Sequence, residues 1–237
     1  GEQIYSVRFI GDQGYVVTFR QVDPLYVIDL SDPAAPKVTG ELKIPGYSSY
    51  IHPLEPGFLL TAGRDGDEEG RVGGIKIEIF DVSDPSDPKS VKTAVIGDGW
   101  DTWSDVLYDH KAFNYFKARN LLAIPVSGWV ETNDGGQWVG EYKSQLALFK
   151  VTKEDIEVLP FISHMDFINE FGGRDDCRYY NGYWQAHIYR SVFVEDYVYS
   201  LSRLGLLIHD TRDFEEGAVA SVKLLDPEEF GYYDWDS

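Results

Sequence analysis

A strand-forming run that ends in an acid and passes into a turn occurs at Leu25-Tyr26-Val27-Ile28-Asp29-Leu30-Ser31-Asp32-Pro33. It returns at Ile75-Lys76-Ile77-Glu78-Ile79-Phe80-Asp81-Val82-Ser83-Asp84-Pro85, and more loosely at Leu146-Ala147-Leu148-Phe149-Lys150-Val151 and Leu206-Leu207-Ile208-His209-Asp210-Thr211. Self-similarity of this kind limits a chain to architectures built by repeating one supersecondary unit. Each copy has the same surroundings. A β-rich run precedes it, at 14–19, 57–61, 120–124 and 196–201; a short amphipathic strand follows it, at 37–44, 90–96, 156–162 and 218–224; and a further strand opens the unit, at 4–10, 49–54, 106–116 and 186–194.

With Asp29, Asp81, Lys150 and Asp210 as equivalent points, the spacings are 52, 69 and 60 residues. A four-stranded propeller blade takes about 40 to 50 residues, and loops account for the excess. No long helix interrupts the pattern: apolar residues alternate or run in fives, β-branched and aromatic types dominate, and Gly, Pro, Asn and Asp separate the runs. The expected fold is therefore all-β, a β-propeller with four four-stranded blades over residues 1–45, 46–97, 98–163 and 164–225 and an acidic tail at 226–237. A β-sandwich of many short strands is the competing architecture. The Ser-Asp-Pro turns have a local cause, since Asp32 and Asp84 accept hydrogen bonds from amides two residues on while Pro33 and Pro85 preset the turn.

The stretch from Ile4-Tyr5-Ser6-Val7-Arg8-Phe9 to Asp32-Pro33, then Ile44-Pro45-Gly46-Tyr47-Ser48-Ser49-Tyr50 with His52-Pro53, then Leu107-Tyr108-Asp109-His110-Lys111-Ala112-Phe113, resembles a family of secreted bacterial and archaeal proteins. Their C-terminal β-propeller domain is distantly related to WD40 repeats. The resemblance implies a propeller fold, an extracellular or cell-envelope location and a ring larger than four blades, completed by missing N-terminal blades or a second copy of the chain. It implies no particular activity. Long Gly- and Trp-rich insertions at 127–142 and 164–186 depart from the family pattern.

Lys and Arg total 21 against 40 Asp and Glu, a formal charge of -19. Such a chain repels phosphate backbones and anionic membrane surfaces, so nucleic acid is excluded as a partner. No apolar run approaches the ~20 residues that span a bilayer, and residues 1–20 lack the pattern of a signal peptide. Cys177 stands alone, without a disulfide or metal partner in sequence.

Loop length maps the function-bearing face. Segments 62–74 and 127–144 join second to third strands, 97–105 and 163–185 join one blade to the next, and in a propeller both kinds emerge on one face; the tight Ser-Asp-Pro turns take the other. Binding concentrates on long loops held by a rigid scaffold. Trp100, Trp103, Trp129, Trp138 and Trp184 all fall in these segments, with Tyr142, Tyr179, Tyr180 and Tyr183 beside them. Flat amphipathic rings among Gly, Asn and Asp suit a protein or polysaccharide ligand, although the same rings can pack down to stiffen loops.

Two polar groups complete the candidates. Asp65, Asp67 and Glu69 alternate in Arg64-Asp65-Gly66-Asp67-Glu68-Glu69-Gly70, as oxygen ligands do at the start of a calcium loop. The match is partial, because Gly73 and Lys76 stand at the ninth and twelfth positions and no helices flank the loop, so a solvated acidic hairpin tip is the other reading. Asp109 and His110, expected on an innermost strand, form either a ligand-binding pair or a structural hydrogen bond. No HExxH, GxSxG, Walker or GxGxxG pattern is present. The expected function is a non-enzymatic binding or scaffold propeller; the alternative is a hydrolase or lyase with a cation-dependent site at the mouth of the channel.

Overall fold

The computed structural model describes residues 3–19, 23–67, 69–97, 99, 101–134, 137–165, 167 and 185–225. Within them the chain forms four antiparallel sheets, each a meander whose strands pair in sequence order. The first contains β1 (Gln3–Ile10), β2 (Gln13–Phe19), β3 (Asp23–Asp29) and β4 (Lys37–Ile44), and the second β5 (Tyr47–Glu55), β6 (Phe58–Gly66), β7 (Val72–Asp81) and β8 (Lys89–Ile96). The third runs through β9 (Asn114–Phe116), β10 (Leu121–Asp134), β11 (Gln137–Val151) and β12 (Ile156–Val158), with the short β13 (Ile162–Ser163) also paired to β11. The fourth contains β14 (Arg190–Val194), β15 (Tyr197–Leu201), β16 (Gly205–Asp210) and β17 (Ala218–Lys223). This is the blade pattern of a propeller.

The sheets pack face to face in chain order, through three apolar layers. Tyr15, Val17, Leu25 and Val27 of the first sheet meet Ile51, Leu59 and Phe80 of the second. Leu60, Ala62, Ile75, Ile77 and Ile79 of the second meet Leu122, Ile124, Ala147 and Phe149 of the third. Ala123, Leu146 and Leu148 of the third meet Val198 of the fourth and Ile188 just before it. The two middle sheets are thus covered on both sides, which is why β6, β10 and β11 carry long apolar runs and even Lys76 and Glu78 of β7 are buried. β8 and β17 are mostly exposed, whereas the first strands β1, β5 and β14 make the contacts to neighbouring sheets, so the strands run from an inner first to an outer fourth.

The end sheets differ. In β3 and β15 buried residues alternate with half-buried ones, because only one face of each is covered among the described residues. Packing joins first to second, second to third and third to fourth sheet, and among the described residues no packing of that extent joins fourth to first.

The turn acids act as the sequence predicts. Asp29 and Asp81 accept the amides of Ser31 and Ser83, and Asp32 and Asp84 those of Ala34 and Ser86. Backbone N–H donors hold the carboxyls of Asp29 and Asp81 below the usual range. The same device recurs at Asp210, which takes the side chain and amide of Arg212 and is lowered to about 2.

Three expectations are corrected. The strand expected over 106–116 is confined to Asn114–Phe116, because Ser104 and Asp109 cap two 3-10 turns at Asp105–Leu107 and His110–Ala112 by accepting the amides of Val106 and Lys111. His110 therefore lies on an exposed turn and not on an inner strand. Most of 127–144 is a strand ribbon rather than a loop, with β10 and β11 paired from Leu121↔Lys150 out to Asp134↔Gln137.

Candidate functional site

The segment between the second and third sheets is fastened to β10. Trp103 and Ser127 exchange both backbone hydrogen bonds, with N···O distances of 2.6 and 2.8 Å. Approach this close demands glycine beside it: a Cβ on Gly128 would lie 3.1 Å from the Asp101 carbonyl oxygen, and one on Gly97, at φ +70°, would lie 2.1 Å from Thr102 Oγ1. The consequence is an aromatic platform. Trp103 is 46% exposed, Tyr108 78% and Trp129 54%. Trp103 and Tyr108 lie nearly parallel at 6.4 Å, and Trp129 meets Tyr142 edge-on at 5.7 Å.

The platform rests on buried polar groups. The buried Arg64 places its guanidinium 5.0 Å from the Trp103 ring centroid and donates to the carbonyl of Gly73. Tyr142 is buried behind Trp129 and bonds Ser127, and burial pushes its phenol up. One residue past the Ser104 cap, the Asp105 carboxylate lies 2.9 Å from Nε2 of His187 and accepts its hydrogen bond, and Nδ1 of that ring is buried without a hydrogen-bond partner among the described residues. Asp109 pairs with Arg190, and the amide of Lys111, with Arg190 adding its charge, holds the Asp109 carboxyl below its usual range. His110 stacks on Tyr50 at 6.5 Å, beside His52, whose imidazole is pushed down by burial and by the charges of Arg8 and Lys117.

The structure thus brings together Trp103 and Trp129, which the sequence named, and adds Arg64, Tyr108, Asp105 and His187, which it did not. Trp138 occupies a position on β11 opposite Asn133. Trp100, Trp184, Tyr183, Tyr179, Tyr180, Cys177 and the tail at 226–237 lie outside the described residues. Asp105 and His187 are 82 residues apart, and no linear spacing announces their meeting. A hint did exist at Ser104-Asp105, a capping pair directly after a Trp.

The acidic tip is occupied by its own cation. Arg71 bonds Asp67 Oδ2 at 2.6 Å and Glu69 Oε2 at 3.2 Å, its amide donates to Asp67 Oδ1, and these bonds lower the Asp67 carboxyl. Among the described residues no three His, Cys, Asp or Glu side chains gather as a metal set, and no helix is long and apolar enough to cross a membrane.

The profile of the family described as "Beta propeller domain" matches residues 1–214. An uncharacterised protein of Archaeoglobus fulgidus is 32% identical over 94% of the chain, and one of Methanocaldococcus jannaschii is 31% identical over 91%. The chain spans about 28% of the length of each relative.

Proposed function

The chain belongs to the beta propeller domain family, and on that premise we propose that it is a non-enzymatic binding propeller of the cell envelope or extracellular space, recognising a protein or polysaccharide through its aromatic platform. The fold supports a binding or scaffold role in general. The observation that carries the finer reading is the set of three exposed rings, Trp103 and Tyr108 on a segment pinned to β10 and Trp129 on β10 itself. Exposed apolar rings fixed in place lose little entropy on stacking, the economy that makes Trp and Tyr the dominant residues of binding surfaces. The envelope location is supported by the resemblance to secreted proteins.

A glycan array and a pull-down from envelope extracts identify the ligand class. Trp129→Ala and Tyr108→Ala then weaken binding by about 2 kcal/mol or more, while Asp32→Ala and Asp84→Ala, on the tight-turn face, leave affinity intact. Ring variants that bind normally per folded molecule overturn the reading.

The Asp105 and His187 pair beside the rings favours a second reading, a hydrolase or lyase working at the mouth of the channel. In that case Asp105→Asn abolishes turnover of the bound ligand and spares its binding.

A further inference from the structure

The ground around the exposed rings is ionised rather than apolar. Among the described residues between 97 and 129, Trp103, Tyr108 and Trp129 are the only large hydrophobic side chains exposed. Trp103 pairs with Ser127, two residues from Trp129, and Asp105 stands between Trp103 and Tyr108 in the chain. Asp105 and Asp109 tie this segment to His187 and Arg190 at the entrance to β14. The Asp105 side chain keeps 33% of its surface exposed. Its Oδ2 takes the His187 bond, and its Oδ1 has no hydrogen-bond partner among the described residues.

Such ground does not suit a protein partner. The core of a protein–protein patch is depleted of charged side chains, because a carboxylate drawn under apolar surface loses its water and costs free energy unless a hydrogen bond replaces it. A pyranose answers both chemistries at once. Its C–H face stacks on an aromatic ring, and each hydroxyl both donates and accepts, so one can meet Asp105 Oδ1 without bringing a charge.

Spacing sets how such a ligand lies. A ring held between two aromatic faces needs them about 7 to 8 Å apart, twice a carbon–carbon contact. Trp103 and Tyr108, within 23° of parallel, have centroids 6.4 Å apart, and Trp129 meets Tyr142 edge-on. No slot for a terminal sugar opens between the parallel pair. A saccharide must lie across the outer surfaces of the rings, so that successive units of a chain meet successive aromatics. Charge narrows the class further. The formal charge of -19 repels polymers of uronic or sulfated sugars. The Arg64 guanidinium, already 5.0 Å from the Trp103 centroid, makes that ring a poor seat for a second cation such as an aminated sugar.

Resting on the binding reading above, we propose that the ligand of the platform is a neutral polysaccharide, bound along an internal stretch of its chain by Trp103, Tyr108 and Trp129, with Asp105 Oδ1 accepting a sugar hydroxyl.

Isothermal titration calorimetry of the 237-residue chain with neutral gluco-, manno- and galacto-oligosaccharides, from disaccharide to octasaccharide, tests this. Affinity rises about tenfold or more along the series as further rings are reached, then levels off. Oligogalacturonates of equal length bind roughly tenfold more weakly at low salt, and the gap narrows as salt is added. Tyr108→Ala and Trp129→Ala each weaken the octasaccharide by roughly 30-fold, and Asp105→Ala by about tenfold. Circular dichroism confirms folding, and where Asp105→Ala disturbs it the two ring variants decide. Equal affinity for disaccharide and octasaccharide overturns the proposal, as do uronates that bind as tightly as neutral chains. Absence of heat with every saccharide overturns it too, and a second measurement then separates it from the reading beneath. If an envelope protein is retained by the wild type and lost by Tyr108→Ala, the platform binds and only the glycan falls; if no ligand of either kind depends on the rings, both fall.

Discussion

The guanidinium carbon of Arg64 lies 5.0 Å from the centroid of the Trp103 ring, although Arg64 lies near the end of a strand of the second sheet and Trp103 belongs to the segment leading into the third. The half-exposed ring covers a buried cation. The proposed binding surface and a stabilising contact share one side chain.

Trp103→Ala is expected to lower unfolding free energy by about 1 to 2 kcal/mol in urea titrations, and a double-mutant cycle with Arg64→Met to return a coupling of about 1 kcal/mol. Zero coupling shows that the ring shields nothing.

Lys76 and Glu78 form a buried ion pair at 3.1 Å on β7, with Lys76 also donating to the Pro45 carbonyl and Ser90 donating to Glu78. Lys76→Met leaves the carboxylate buried without its cation and is expected to cost about 3 to 5 kcal/mol. Lys76→Met with Glu78→Leu recovers most of that loss. A double variant no more stable than the single one refutes this account, and chemical denaturation distinguishes the two.

His164 is fully buried, with Nδ1 2.8 Å from Ser202 Oγ and Nε2 2.8 Å from Ser200 Oγ. Burial first, and His209 second, lower its pKa from 6.5 to about 4. The fold holds the neutral ring, so between pH 6.5 and 4 the unfolded chain binds the extra proton. Stability is therefore complete above pH 6.5 and falls by about 3 kcal/mol as pH drops through that window. Denaturation midpoints measured across this range should slope downward toward acid, and His164→Gln should flatten the slope.

We propose that the acidic tip binds calcium weakly, with a dissociation constant of about 0.1 to 1 mM, in competition with Arg71, which holds Asp67 and Glu69. Arg71→Ala should tighten calorimetric calcium binding several-fold, and Asp65→Ala should remove it. Heat that is absent in both the wild type and Arg71→Ala shows that the tip is only solvated.

The repeat made the four sheets legible because each is local in sequence. A strand ending in Asp29, Asp81 or Asp210 carries its own turn signal, and the alternation around it is self-contained. The run Tyr108-Asp109-His110-Lys111-Ala112-Phe113 misled because its spacing fits a strand, while the decisive interactions are two short-range caps from Ser104 and Asp109. The ribbon of β10 and β11 was hidden by Gly128 and Asn133, residues that resemble a loop when their partners are unknown. The site was legible only as a set of rings on one face. Its polar floor depends on residues such as Asp105 and His187, which meet only after two sheets have docked.

Each sheet closes its hydrogen-bonded ladder before the chain moves on to the next, and only the docking of faces ties distant segments together. Most pairings therefore form over short loops with little entropic cost, and a chain leaving the ribosome can complete one blade while the next is still being made. Every newly finished blade then shows a bare apolar face until its successor arrives. Synthesis passes through a series of adhesive intermediates, and the second and third sheets lose this vulnerability only on being enclosed.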